Sequence, residues 1–303
     1  MFERIWYWLN KPGRMPAKSQ PFSAVESHSM KDTYWNQAEL ESGLADLPLG
    51  WVKFLTSTTS SNDVAIKLAG EGAPDLSLVV AGQQTAGKGR AGRKWFSPPD
   101  ASLSFSLGLR PPRYVSAQSD ANNLLLRHTA LGALAVCDTL QTYYQLSPQI
   151  KWPNDVLVDG KKVCGVLAEA QWMGDHLESI ILGIGLNIHS EALPPESELA
   201  FPATHIQDHV QGNISKLKFL RQVLGKLLYW RSQIENPAFI QEWEMRLAFR
   251  HSWVTVVNET GNISSQPVVG KITGLDADGR LLLKDQRGAL LCIEFGELRV
   301  RPI

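Results

Sequence analysis

Four glycines and four positive charges crowd one short stretch, GQQTAGKGRAGRKW, from Gly82 to Trp95. The charges are Lys88, Arg90, Arg93 and Lys94, and no acid accompanies them. Guanidinium forks bind phosphate or carboxylate through paired hydrogen bonds. Gly87 and Gly89 allow backbone amides to approach such an anion closely. Two nucleotide motifs are excluded by spacing. A Walker loop needs a lysine followed by Ser or Thr, and Lys88 is followed by Gly89. A dinucleotide fingerprint opens a helix, whereas this stretch runs into Pro98, Pro99 and a strand pattern. A solvated basic turn fits the composition equally well. A nucleic-acid patch would need more stacking aromatics than Trp95 and Phe96.

A second group of residues lies in KWPNDVLVDGKKVCGVLAE, Lys151 to Glu169. Lys151 stands where a strand meets a proline turn, and Pro153 pins the backbone beside Asn154 and Asp155. By itself this is a rigid turn with a surface lysine. As chemistry, Lys151 is a fixed cation able to balance charge as a carboxylate attacks phosphorus. Asp155 could hold a metal through water, or a basic partner. Taken with the first stretch, a site with cations on both sides of an acyl phosphate accounts for more of the pattern.

The surrounding sequence supplies elements to position these groups. WVKFLTS from Trp51 and LSLVVAG from Leu76 read as strands, with a short helix in SSNDVAIKLAGEG between them. SLSFSLGLRP alternates hydroxyl with apolar residues, so its small polar face is expected to line a pocket. NNLLLRHTALGALAVCDTLQTYY reads as a long buried helix, and Asp159-Gly160 as a type I′ hairpin turn. HLESIILGIGLNIH continues as a strand in which Gly183 and Gly185 suit close backbone approach. Two helices follow, in KLKFLRQVLGKLLYWRSQI and FIQEWEMRLAFR. Irregular strand and helix order predicts an α+β fold. From Ser252 short strands separated by Gly and Asp turns read as a small β-barrel.

The whole chain is consistent with this. Its 303 residues are 44% hydrophobic and carry 30 basic and 30 acidic groups. Zero net charge argues against a nucleic-acid binder. Cys137, Cys164 and Cys292 are widely spaced and odd in number, which fits buried thiols in a reducing compartment better than disulfides or zinc. No stretch approaches a membrane span and the N-terminus is a poor signal peptide, so a cytoplasmic protein without membrane contact is expected.

Four segments in order resemble the biotin–protein ligases: Gln84 to Trp95, Lys151 to Asp155, Gly165-Val-Leu-Ala-Glu169 and Gly183-Ile-Gly-Leu-Asn187. The resemblance runs from about residue 52 to the C-terminus. It implies a catalytic domain like that of class II aminoacyl-tRNA synthetases over residues 51–251, with a mixed sheet and helices. It also implies an SH3-like β-barrel over residues 252–303. The implied reaction joins biotin and ATP into biotinyl-5′-AMP, then transfers biotin to a lysine of the biotin carboxyl carrier protein of acetyl-CoA carboxylase. Mg2+ accompanies ATP, and no protein metal ligand is assigned. Residues 1–50 lack the texture of the winged helix found in family members that also repress transcription, so no repressor activity is expected.

Residue roles follow by the same resemblance. Ser60, Ser61 and Asn62 match a Ser-Thr-Asn group at biotin, with Ser57-Thr58 as a rival alignment. Gln84 and Gly87 match biotin contacts, and Lys88 stands where an arginine is common. Arg90 matches the arginine at the biotin carboxylate and adenylate phosphate, Arg93 that at the ATP phosphates, and Trp95 a tryptophan near adenine. Lys151 matches a lysine at the reacting carboxyl and phosphoryl oxygens, and Arg90 and Lys151 are the catalytic pair. Gly165 and Leu167 are expected to line the biotin pocket, and Asn187 to stand by ATP or its metal. A lipoate or octanoyl transferase with a related domain, a sensor that kept the fold, and a nucleic-acid module are the competing readings.

Overall fold

The computed structural model describes residues 36–111, 115–116, 118–258, 267–294 and 298–302. The expectations for residues 1–35 lie outside the described residues. The first described helix is α1 (Gln37–Leu44), closed at its start by an Asn36–Glu39 capping box. Arg221 ties it to the body through Asp46 and the Gly43 carbonyl, 2.9 Å away.

Seven strands form one mixed sheet: β1 (Val52–Leu55), β2 (Ser77–Ala81), β5 (Ser102–Leu109), β6 (Gln149–Lys151), β7 (Asp155–Val158), β8 (Lys161–Met173) and β9 (His176–Asn187). Their order is β1-β2-β5-β9-β8-β7-β6, with β1 and β2 parallel and the other pairs antiparallel. The expected α+β mixed sheet is therefore found. In β2, Leu78 and Val80 join the main core while Val79 packs with Ala65, Leu68 and Ala69 of α2 (Ser61–Gly70). Alternate residues of a strand point to opposite faces, so burial on both faces explains the unbroken apolar run. The long α3 (Gln118–Tyr144) covers the main-core face. Gly132 permits its close approach, since a Cβ there would lie 2.8 Å from Val166. Helices α4 (Lys216–Ser232) and α5 (Pro237–Met245) complete that layer.

The basic stretch is more than a turn: it forms a second, two-stranded sheet of β3 (Gln84–Lys88) and β4 (Lys94–Ser97). Gly87 pairs with Trp95 and Lys88 with Lys94. The turn is closed by Gly89 N donating to Arg93 O at 2.7 Å, and Ala91 and Gly92 both adopt positive φ. The Asp159-Gly160 turn has positive φ at both positions, as type I′ requires.

The expected C-terminal barrel is not formed. The last five strands are β10 (Trp253–Asn258), β11 (Val268–Leu275), β12 (Leu281–Lys284), β13 (Leu290–Ile293) and β14 (Leu298–Pro302). They run in the order β13-β12-β11-β10-β14, leaving β13 and β14 at opposite edges. Among the described residues no sheet closes on itself. Alternation and tight turns specify antiparallel neighbours, but closure depends on pairing the outermost strands, which those signals do not encode. Val254, Val256, Ile272, Leu281 and Leu283 of this sheet belong to the same buried cluster as Trp152 and Trp243.

His128 lies fully inside on α3, with Nδ1 2.7 Å from the Leu124 carbonyl oxygen. Burial pushes its pKa down to about 4, the Leu124 carbonyl opposing and Arg231 assisting. The unfolded chain takes up this proton near pH 6.5 and the folded one only near 4. Stability is thus expected to fall by about 3 kcal/mol as pH drops through that window. Urea unfolding of wild type and His128→Gln at pH 7 and pH 4.5 checks this, with the smaller loss expected in the variant.

Candidate active site

Where β3–β4 lies over β8 and β9 it encloses a cavity of about 750 Å³. Every residue singled out from the sequence lines it: Ser60, Ser61, Asn62, Gln84, Gly87, Lys88, Arg90, Arg93, Trp95, Lys151, Gly165, Leu167 and Asn187. The rival Ser57 and Thr58 are not in the lining; Thr58 instead bridges to Gln84 through backbone pairing. Residues 58 and 59 thereby brace the hairpin, accepting from Thr85 N and Ala86 N at 2.9 Å each.

One end of the cavity is polar but dominated by neutral groups. Gln84 Oε1 accepts from Ser61 N at 2.7 Å and sits 3.2 Å from Ser61 Oγ. Behind them the buried Ser106 hydroxyl lies 2.7 Å from Ser61 Oγ and 2.6 Å from Asn62 Oδ1. Asn62 Nδ2 donates to Glu169 at 2.5 Å. The small polar face of β5 therefore backs the pocket rather than lining it. Its other hydroxyls, Ser102 and Ser104, are buried against Ser97 Oγ at 2.7 and 3.0 Å. Gly183 has no room for a side chain because Asn62 lies flat upon it.

The other end is cationic. Asp155 is buried between Lys162 Nζ at 2.6 Å and Lys151 Nζ at 3.6 Å. Burial alone would raise the Asp155 carboxyl. Lys162, Lys151 and Arg93 more than reverse this and hold it below its ordinary value. Burial lowers the pKa of Lys151; Asp155 opposes, while Lys162 and Arg93 add to the fall. Lys151 Nζ also stands 4.7 Å from the centre of the Phe201 ring, and Lys162 Nζ stands 5.6 Å from that of Trp95. Lys162 was not singled out in the sequence. A second lysine after an Asp-Gly turn reads as surface decoration, and only the pairing of Asp155 with Gly165 brings it inward.

Arg90 and the proline turn are joined through Asn154. Its Oδ1 accepts from Arg90 Nη1 at 3.3 Å, while its Nδ2 donates to Val166 O at 3.2 Å. Arg93 Nε donates back to Arg90 O at 3.1 Å, holding the two guanidinium groups on one turn. Lys88 points elsewhere, pairing with Asp63 in the first turn of α2, which raises its pKa. The Trp95 indole rests on Gly165 and Gly185, and a Cβ at Gly185 would collide with it. Asn187 Nδ2 donates to Thr204 O at 3.1 Å and so anchors the segment that brings Phe201 over the cavity. The proline turn itself is held from below, since Trp152 Nε1 donates to Gly279 O at 3.0 Å.

The segment that builds the mixed sheet up to Asn187, with the arginine hairpin over Lys151 and Lys162, matches the Biotin/lipoate A/B protein ligase family over residues 51–187. The biotin–[acetyl-CoA-carboxylase] ligase of Mycobacterium tuberculosis is 30% identical over 258 residues, covering 82% of this chain and 89% of that one. The bifunctional ligase/repressor BirA of Bacillus spizizenii is 29% identical over 255 residues, covering 84% and 75%. The Aquifex aeolicus biotin protein ligase, solved in complex with biotin and ATP, superposes with a TM-score of 0.68 at 26% identity, over 84% of this chain and 99% of that one. The chain belongs to the biotin–protein ligase family.

Removing Asp155 leaves two enclosed ammonium groups without their counter-charge. Asp155→Ala is expected to cost about 3 kcal/mol. The combination Asp155→Ala with Lys162→Met recovers part of that loss, as urea titrations at neutral pH will measure.

Proposed function

We propose that this chain joins biotin to ATP as biotinyl-5′-AMP and then passes biotin to a lysine of the biotin carboxyl carrier protein of acetyl-CoA carboxylase. One observation carries the reading: a single cavity has a largely neutral hydrogen-bonding end and a cationic end, bridged by the arginine hairpin. Biotin is a molecule of that description, with a neutral ureido ring at one end and a carboxylate at the other. The family relatives named as biotin ligases, and the related structure holding biotin and ATP, support it.

The two substrates are both anions, and bringing them together requires fixed positive charge. Ser60, Ser61, Asn62, Gln84 and Gly87 take the ureido ring, with the backbone of Gly165 and Leu167 beside the acyl chain. Arg90 holds the biotin carboxylate against the α-phosphate, and Arg93 holds the outgoing phosphates. Trp95 stands by the adenine and Asn187 by the nucleotide. The carboxylate oxygen attacks the α-phosphorus, and the bond to pyrophosphate breaks. In the second step a carrier lysine attacks the acyl carbon and AMP leaves. Lys88, committed to Asp63, contributes charge to the ring's surroundings rather than a paired contact.

At the cationic end, the proposal brings in Lys162 beside Lys151 at the reacting oxygens. Its side chain is 23% exposed against 9% for Lys151, and it adjoins Trp95. Lys151 acts with it, from the other side of Asp155. The donor set does not fit a protein-held Mg2+: both Asp155 oxygens already face lysines. Magnesium belongs to this proposal only as part of the ATP complex. Partner choice is confined to the carrier protein and the two small molecules, and the proposal extends to the ligase reaction alone.

Biotin-dependent pyrophosphate release tests the reading. Lys151→Ala and Lys162→Ala are each expected to reduce it by about a hundredfold or more, with the fold kept in both. Near-normal release in both variants would remove the cationic end from the mechanism. Lipoate replacing biotin with equal efficiency would favour the lipoate branch of the wider family.

A further inference from the structure

The hydrogen bonds behind the neutral end form a chain whose proton direction is fixed from one terminus. Glu169, on β8, stands behind Asn62 and outside the cavity lining. As a carboxylate it can only accept, so the 2.5 Å contact must be a donation from Asn62 Nδ2. The Asn62 carbonyl is then turned to Ser106, 2.6 Å away, and must receive that hydroxyl's one proton. Ser106 Oγ is left as an acceptor for its other neighbour, so Ser61 donates to it across 2.7 Å rather than to Gln84 across 3.2 Å. Gln84 Oε1 is already occupied by Ser61 N at 2.7 Å, which leaves the Gln84 amide to present N–H.

The order of these protons decides what the cavity shows a ligand. Ser61 Oγ, having given its proton inward, offers lone pairs; Gln84 Nε2 offers a proton. We infer that Glu169 is a positioning residue that sets this polarity, and with it the preference for a ligand edge carrying an N–H beside a C=O. This rests on the proposed biotin site, whose cyclic urea has such an edge, and it assigns Glu169 a part that no direct contact requires. The close seat of Asn62 on Gly183 keeps the amide from escaping by a shift of the whole side chain. With Gln in place of Glu169, the partner of Asn62 can donate as well as accept. Asn62 can then present either end to Ser106, and the chain loses its fixed direction.

The experiment is biotin binding by calorimetry with biotin-dependent ATP–pyrophosphate exchange, on the full chain. Glu169→Gln is expected to weaken biotin binding and raise its KM by about tenfold or more, with kcat and the KM for ATP nearly unchanged. Adding Asn62→Asp swaps the carboxylate and the amide. The introduced glutamine then donates to the introduced aspartate, which still accepts from Ser106, and biotin affinity is expected to rise clearly above that of Glu169→Gln alone. Unchanged biotin affinity in Glu169→Gln overturns the inference, and so does a swapped variant that folds but binds no better than the single one. A wild-type chain without biotin-dependent exchange overturns the ligase reading itself, and is told apart because it fails before any substitution is made.

Discussion

A carboxylate buried between two ammonium groups is the constraint around which the site is organised. Asp155 cannot be enclosed alone, and neither can Lys151 or Lys162 so near each other. Together they are tolerated, and their mutual requirement holds the start of β7 against the Lys162–Gly165 stretch of β8. Once that pairing is in place, Asn154 reaches Val166 and Arg90, and the hairpin above the sheet acquires its register with the turn below. The excess positive charge left over after Asp155 is neutralised is what the cavity has to offer an anion.

The opposite end is built on a different principle. There the groups form a chain of hydrogen bonds with Glu169 as its distal charge, and in the proposed reading specificity comes from which end of each dipole faces inward. Gly183 and Gly185 serve the two ends separately, one flattened under Asn62 and the other under the Trp95 ring. The strand that reads as GIGLN in the sequence is thus a floor shared by a charge-based and a dipole-based recognition surface.

Much of the site was legible because its residues carry unusual chemistry at fixed spacing. Arginines among glycines, and a lysine against a proline turn, stand out from any background. Lys162 and Glu169 did not, because each looks ordinary beside its neighbours and becomes significant only through partners far along the chain. Glu169 meets Asn62 across 107 positions. The basic stretch reads as a mere turn because glycine and charge mask the two-residue period of a strand. Among the elements, β2 and α3 were plain from apolar pattern alone, whereas closure of the last sheet was not, since edge pairing leaves no periodic trace. The hydroxyl face of β5 was read correctly as special but misplaced by one layer.

The 3.0 Å bond from Trp152 to Gly279 joins the proline turn to a turn between β11 and β12. That turn is internally rigid: Asp276 gathers the amides of Asp278 and Arg280 at 3.0 and 2.8 Å, and Arg127 grips Ala277 O at 2.7 Å. The proline turn below the lysines is accordingly tied to chain beyond Ser252. Exchange of parts between relatives, by recombination or by design, would have to carry Trp152 and the Asp276–Arg280 turn as a matched set, since either inherited alone meets a stranger beneath the lysines.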